Sequence, residues 1–176
     1  MTEANRAIRE YAQANLDGAP SGSTIVVALL SDGHATIAHL GDSRAYLYRS
    51  GSLSQLTIDH SFVAEQVRAG IIRAEDAPGH PLRSRLMKAL GSAETVAPDV
   101  REIETRSGDV LLLCSDGLHT MASDVEIAAA IDPDAVRSAE ALIDLANRRG
   151  GKDNVTVAVY RVPLSVSPSL RLVDRP

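Results

Sequence analysis

The chain has 176 residues, 44% of them hydrophobic and 23% charged, with a net charge of −5. That length suffices for one domain with a buried core, and the acidic balance speaks against nucleic acid or an anionic membrane surface as partners. No apolar run approaches the roughly 20 residues of a membrane span, Met1 to Arg6 has no apolar signal core, and the single cysteine, Cys114, rules out an internal disulfide, so the cytoplasm is the expected compartment.

Aromatic residues are 3% of the chain and Trp is absent, so the core must be built from Val, Leu, Ile and Ala. Residues 2–16 read as a helix, with Thr2 able to cap it and Gly18 and Pro20 ending it. Thr24 to Leu30 is a continuous apolar, β-branched run, and Asp32-Gly33 is a hairpin signal leading into a partner strand at Ala35 to Leu40. A second hairpin pairs Ala45 to Arg49 with Leu53 to Thr57 around Ser50-Gly51-Ser52. The first half therefore reads as an antiparallel β-meander. Ser61 to Ala69 suits a short helix closed by Gly70, and Ala74 to Ala77 a further turn. Pro78, Gly79 and Pro81 then break any regular element, which makes this insert, ahead of Leu86 to Leu90, a candidate flap over a site.

Strand signals resume at Val100 to Thr105 and at Asp109 to Cys114, the latter apolar enough to be buried on both faces. Ser123 and Glu126 have capping-box spacing and start a helix reaching about Ile131. Asp134 to Arg149 is a second amphipathic helix, ended by Gly150-Gly151, and Val155 to Val162 closes the domain. Residues 1–162 are expected to form the domain and 163–176 a C-terminal tail.

Three short acidic turns stand out: Gly41-Asp42-Ser43-Arg44, Ser115-Asp116-Gly117-Leu118 and Lys152-Asp153-Asn154. Each puts a carboxylate at the edge of a strand-like run. Carboxylates gathered from strand ends suit Mg²⁺ or Mn²⁺, hard ions that take oxygen ligands and retain waters.

The segments SGST (21–24), GDSRAYLYRSGSLSQLTIDHS (41–61), HPLRSRLMKALG (80–91), GDVLLLCSDGL (108–118) and GGKDNVTVAV (150–159) carry a likeness. In order and spacing, from about Glu3 to Val162, the chain resembles the metal-dependent protein phosphatases of type 2C. The resemblance implies an α+β fold, an antiparallel β-sandwich flanked by helices. It implies hydrolysis of phosphoserine and phosphothreonine by a metal-activated water, with phosphorylated proteins and a cognate serine/threonine kinase as signalling partners. By motif match, Asp116 and Asp153 are ligands of two core Mn²⁺ or Mg²⁺ ions, and Asp42 joins Asp116 in holding a third. Asn154 and Gly117 support the ligands from behind. Type 2C phosphatases also have an upstream stretch with a phosphate-binding Arg, an Asn-Glu-Asp segment and an Asp-Gly-x-Gly-Gly loop whose Asp bridges the core metals. Of the Asp-Gly pairs here, Asp17-Gly18, Asp32-Gly33 and Asp116-Gly117, none continues into Gly-Gly. The domain is therefore expected to be a partial one, incomplete at its N-terminus. A catalytically incomplete pseudophosphatase, acting as a phosphoprotein-binding or regulatory module without turnover, is the alternative.

Other polar residues admit plainer readings. Asp42, Asp116 and Asp153 can each serve as ordinary turn residues. Ser43 and Ser115 lie outside any G-x-S-x-G elbow and have no assignable base, so a nucleophile role is rejected. His60 is read as ordering an Asp-His-Ser turn rather than as a general acid, His39 as a strand residue and His80 as a loop residue. Arg44 is expected to brace its turn or pair with an acid, and Cys114 to be a core residue. Arg83 and Arg85 are surface arginines or a source of positive charge for a phosphopeptide.

Overall fold

A computed structural model describes residues 1–19 and 21–164. The expected end of the first helix at Pro20 and most of the expected tail, residues 165–176, lie outside them. Helix α1 spans Thr2–Asn15. Strands β1 (Ile25–Ser31) and β2 (His34–Leu40) close around Asp32-Gly33, and β3 (Arg44–Arg49) and β4 (Ser52–Gln55) around Ser50-Gly51. In both turns the two central residues have positive φ, as hairpins with right-twisted strands require. Helix α2 (Phe62–Arg68), capped by Ser61, and a 3₁₀ turn over Ala74–Gly79 form the insert. Strands β5 (Asp99–Glu104) and β6 (Val110–Cys114), helices α3 (Asp116–His119), α4 (Asp124–Ala129) and α5 (Ala135–Arg148), and strand β7 (Val157–Arg161) complete the order. The capping box is present: Ser123 Oγ accepts from the Glu126 N–H, and the Glu126 carboxylate accepts from the Ser123 N–H.

The strands form two antiparallel sheets, β1-β2-β5 and β4-β3-β6-β7. The expected meander is thus divided, because β2 and β3 are consecutive but do not pair. Apolar residues drive this split. Ala35 and Ile37 of β2 face Ala45 of β3 and Leu111 of β6 across the space between the sheets, and burying them requires the strands to stack rather than lie side by side. The crossing is made at Gly41, whose φ is 101° and where a methyl group would collide with the Thr24 side chain.

The other face of the second sheet carries Tyr46, Leu112 and Cys114, covered by Leu118, Ile127, Leu142 and Ala146 from the three C-terminal helices. Strand β6 is therefore buried on both faces. The outer face of the first sheet is not covered in this way. Val27 (42% exposed), Leu29 (69%) and Val100 (63%) lie open there, and β1 is an edge strand. Helix α1 docks elsewhere: Asn5 donates to the Ala93 and Glu94 carbonyls and accepts from the Gly91 N–H at 2.6 Å.

At the end away from the acidic turns, one ion pair ties the sheets together. Arg49 closes β3 and binds Asp109 in bidentate fashion (2.9 and 2.6 Å), and it also donates to the Glu104 carbonyl at the end of β5. Asp109 is 2% exposed and accepts from the Arg106 N–H as well. The Arg49 guanidinium holds the Asp109 carboxyl below its ordinary range. A depressed folded value means this stabilisation is complete above the unfolded pKa of about 3.9 and is lost as pH falls through the folded value. Asp109→Asn is expected to cost about 2 kcal/mol in urea unfolding at pH 7, and below about pH 4 the gap to the native protein should close. A gap that persists at low pH would rule out this assignment.

Candidate metal and phosphate site

Strand pairing sets Arg44, Cys114 and Val157 in one row at the end of the second sheet. The segments flanking this row are the three acidic turns. Asp42 precedes β3, Asp116 follows β6 as the first residue of α3, and Asp153 leads towards β7. A cleft of about 570 Å³ opens here. Asp42, Asp153 and Lys152 line it from the sandwich, His119 from α3, and Pro78 and Arg83 from the insert. The insert thus walls one side of the cleft, as a flap would.

Asp42 is the most perturbed carboxylate of the site. Burial, then the Asp116 carboxylate, then Asp59 push its pKa up to about 6. The nearest guanidinium gives little relief, because Arg44 is committed elsewhere. It grips Asp59 through two bonds of 2.9 and 2.7 Å and donates to the Tyr46 hydroxyl at 3.0 Å. Arg44 therefore pairs with an acid, one of the two roles expected from its sequence position. Two carboxylates that repel each other suit a hard divalent cation, which commonly takes one or two carboxylates and keeps its waters. Among the described residues, no three acidic, His or Cys side chains converge to enclose an ion by themselves. Asp42 and Asp116 are coupled electrostatically, and Asp42 and Asp153 line the cleft, an all-carboxylate donor set of the chemistry that hard divalent cations take.

The supporting residues act through their backbone. The Asn154 N–H donates to Asp153 Oδ1 at 2.7 Å, which orients that carboxylate, and the Asn154 carbonyl accepts from Ser115 Oγ. A methyl group at Gly117 would collide with the same carbonyl, so glycine is what lets this turn close onto α3. Ser115 is thereby engaged in structure, and Ser43 bonds Thr24 at 2.8 Å. Cys114 is buried, with its thiol pushed up to about 12 mainly by burial. Phe62 faces both His80 and the Arg85 guanidinium, so Arg85 packs on its own insert, whereas Arg83 reaches the cleft.

His119 and Lys152 are cleft residues without an assigned role in the sequence reading. His119 Nε2 donates to the Asp42 carbonyl at 3.0 Å, and burial holds its pKa down. Its signal was the three-residue step from Asp116, which reaches Asp42 only because Asp116–His119 is a helical turn and not a loop.

The family description "Protein phosphatase 2C" matches residues 2–76. The serine/threonine phosphatase stp of Listeria monocytogenes is 40% identical over 167 residues, 94% of this chain and 66% of that protein. The serine/threonine protein phosphatase PstP of Mycobacterium tuberculosis is 44% identical over 159 residues, 90% of this chain and 31% of PstP. The crystal structure of the M. tuberculosis phosphatase aligns with a TM-score of 0.84 at 42% identity, over 90% of this chain and 68% of that one. A structure of the PstP catalytic domain in complex with two manganese ions aligns with a TM-score of 0.80 at 39% identity, over 90% and 66% of the respective chains. The chain thus spans about two thirds of the Listeria protein and about a third of PstP. With its stacked antiparallel sheets, flanking helices and this degree of identity, the chain belongs to the protein phosphatase 2C family.

Proposed function

We propose that this chain carries the carboxylate face of a Mn²⁺- or Mg²⁺-dependent protein serine/threonine phosphatase acting on cytoplasmic phosphoproteins, the products of a partner kinase. The observation that carries this reading is the charge coupling of Asp42 to Asp116 beside a cleft that Asp42 lines together with Asp153, Arg83 and Lys152. Asp116 and Asp153 are the ligands of the core ions, and Asp42 with Asp116 holds a third. Asn154 and Gly117 set the turn that presents Asp153. Bound divalent ions supply an ionised water and neutralise phosphoryl charge. Arg83 and Lys152, for which no ion pair is found among the described residues, face the phosphate. No described helix is long and apolar enough to cross a membrane.

Hydrolysis of p-nitrophenyl phosphate and of a phosphothreonine peptide should require Mn²⁺, stop with chelator and be lost in Asp116→Ala. A folded chain that binds Mn²⁺ by calorimetry but turns over neither substrate would overturn the enzyme reading.

Asp42 supplies a pH test. With a pKa of about 6, it is protonated below that value, and the proton competes with the cation. Affinity for Mn²⁺ at this position should be flat above pH 7 and fall about tenfold per unit below pH 6, and Asp42→Asn should abolish that dependence. The raised folded value also means that ionising Asp42 destabilises the metal-free fold as pH rises through about 6. Asp42→Asn is therefore expected to raise the Tm of the metal-free protein at pH 7.5 while weakening Mn²⁺ binding. A lowered Tm would contradict the charge repulsion inferred here.

A further inference from the structure

His60 joins three parts of the chain at the cleft end. Its backbone N–H donates to the Gly41 carbonyl at 3.0 Å, and its ring Nδ1 accepts from the Gly41 N–H at 3.2 Å. Its carbonyl accepts from the Met87 N–H at 2.7 Å. The ring is 5% exposed, stacked on His39 with centroids 4.6 Å apart and planes 8° from parallel. Its Nε2 lies 3.3 Å from Asp99 Oδ2, close enough for attraction but outside hydrogen-bond geometry. With Nδ1 accepting, the ring proton sits on Nε2 and faces Asp99.

These contacts have a topological meaning. The insert leaves the sandwich at Ser61 and returns at Leu86, and its base is closed by a bridge between those residues and by the Phe62 N–H to Arg85 carbonyl bond at 2.8 Å. His60 and Met87 sit immediately inside that base. On the other side, Gly41 has both its N–H and its carbonyl committed to His60, and Asp42 is the next residue. The ring itself is absent from the cleft lining, so it does not reach a reacting group.

We propose that His60 is a positioning residue that locks the base of the insert to the Gly41-Asp42 turn, so that cation occupancy at Asp42 and closure of the insert are one linked equilibrium. The cation part rests on the function proposed above. A ligand that fixes Asp42 fixes the peptide of Gly41, and His60 passes that restraint to residues 61–87. By linkage, whatever orders the insert over the cleft tightens the hold on the cation by the same factor. Arg83 and Pro78, carried by the insert, are the residues this would bring to bear on a bound phosphate.

Trypsin cleavage after Arg83 and Arg85, with Mn²⁺ alone as ligand, tests the coupling, and calorimetry on the same samples reports Mn²⁺ binding. In the native protein Mn²⁺ should slow cleavage. His60→Asn places an amide oxygen where Nδ1 accepts from Gly41 and should retain the protection. His60→Gln extends towards Asp99 without that acceptor and should lose about fivefold of the protection, as for one hydrogen bond, while still binding Mn²⁺. Both variants forfeit the stack on His39, so a space-filling role would make them behave alike, and that result overturns the proposal. Should His60→Gln not fold, Asp42→Asn decides: protection that survives in it is not routed through the turn, and the proposal fails. Mn²⁺ that binds the native protein without changing cleavage also overturns the coupling and leaves the phosphatase reading intact. Absence of Mn²⁺ binding overturns both.

Discussion

Burial of strand β6 on both faces is the constraint that the molecule is organised around. Val110, Leu111, Leu112 and Cys114 are almost wholly removed from water. Leu111 looks towards the first sheet, and Leu112 and Cys114 look towards the helices. Full burial of a side chain of this size is worth about 1.5–3 kcal/mol, so displacing the strand by even one residue exchanges both layers at once. The strand runs directly into Ser115 and Asp116. Packing in the hydrophobic interior therefore fixes where the Asp116 carboxylate stands, and the pairing of Cys114 with Arg44 and Val157 carries the same precision to the other two acidic turns.

The electrostatics at that end run against stability. Asp42, Asp59 and Asp116 sit close enough to raise the proton affinity of Asp42, and the nearest guanidinium, Arg44, is spent on Asp59 and Tyr46. The opposite end of the sandwich shows the contrasting arrangement, in which Arg49 satisfies Asp109 fully. One end closes the fold with a satisfied ion pair, and the other leaves like charges facing one another. Such a division between structural and functional ends is common where activity needs an otherwise unfavourable charge arrangement.

Coverage is uneven as well. The outer face of the first sheet and the edge of β1 lack a covering layer among the described residues, and Ala158 and Tyr160 of β7 are exposed on the face that β6 buries. A three-stranded sheet cannot span a four-stranded one. The open residues are the aliphatic ones that an uncovered sheet leaves to water, a liability of unpaired edges in general.

Much of this was legible in the residues. Hairpin turns at Asp32-Gly33 and Ser50-Gly51, the Ser61 and Ser123 caps, the doubly buried DVLLLC run and the long helix ending at Gly150-Gly151 are local signals, since turn chemistry, capping and periodicity act within a few residues. The likeness that placed Asp42, Asp116 and Asp153 at one end came from spaced motifs and agreed with the strand ends. The division of the meander into two sheets did not come from local pattern, because alternation along β2 and β3 is compatible with pairing or stacking and only the competition for buried area chooses. The helical turn Asp116–His119 was hidden by an Asp-Gly pair that reads as a loop. The grip of Arg44 on Asp59, the bonds of His60 to Gly41 and the reach of His119 to Asp42 join residues 15, 19 and 77 positions apart. Residue types and turns were set by the sequence alone. Which carboxylate is neutralised and which is left charged was decided by tertiary structure, because only the folded chain determines which groups lose water together.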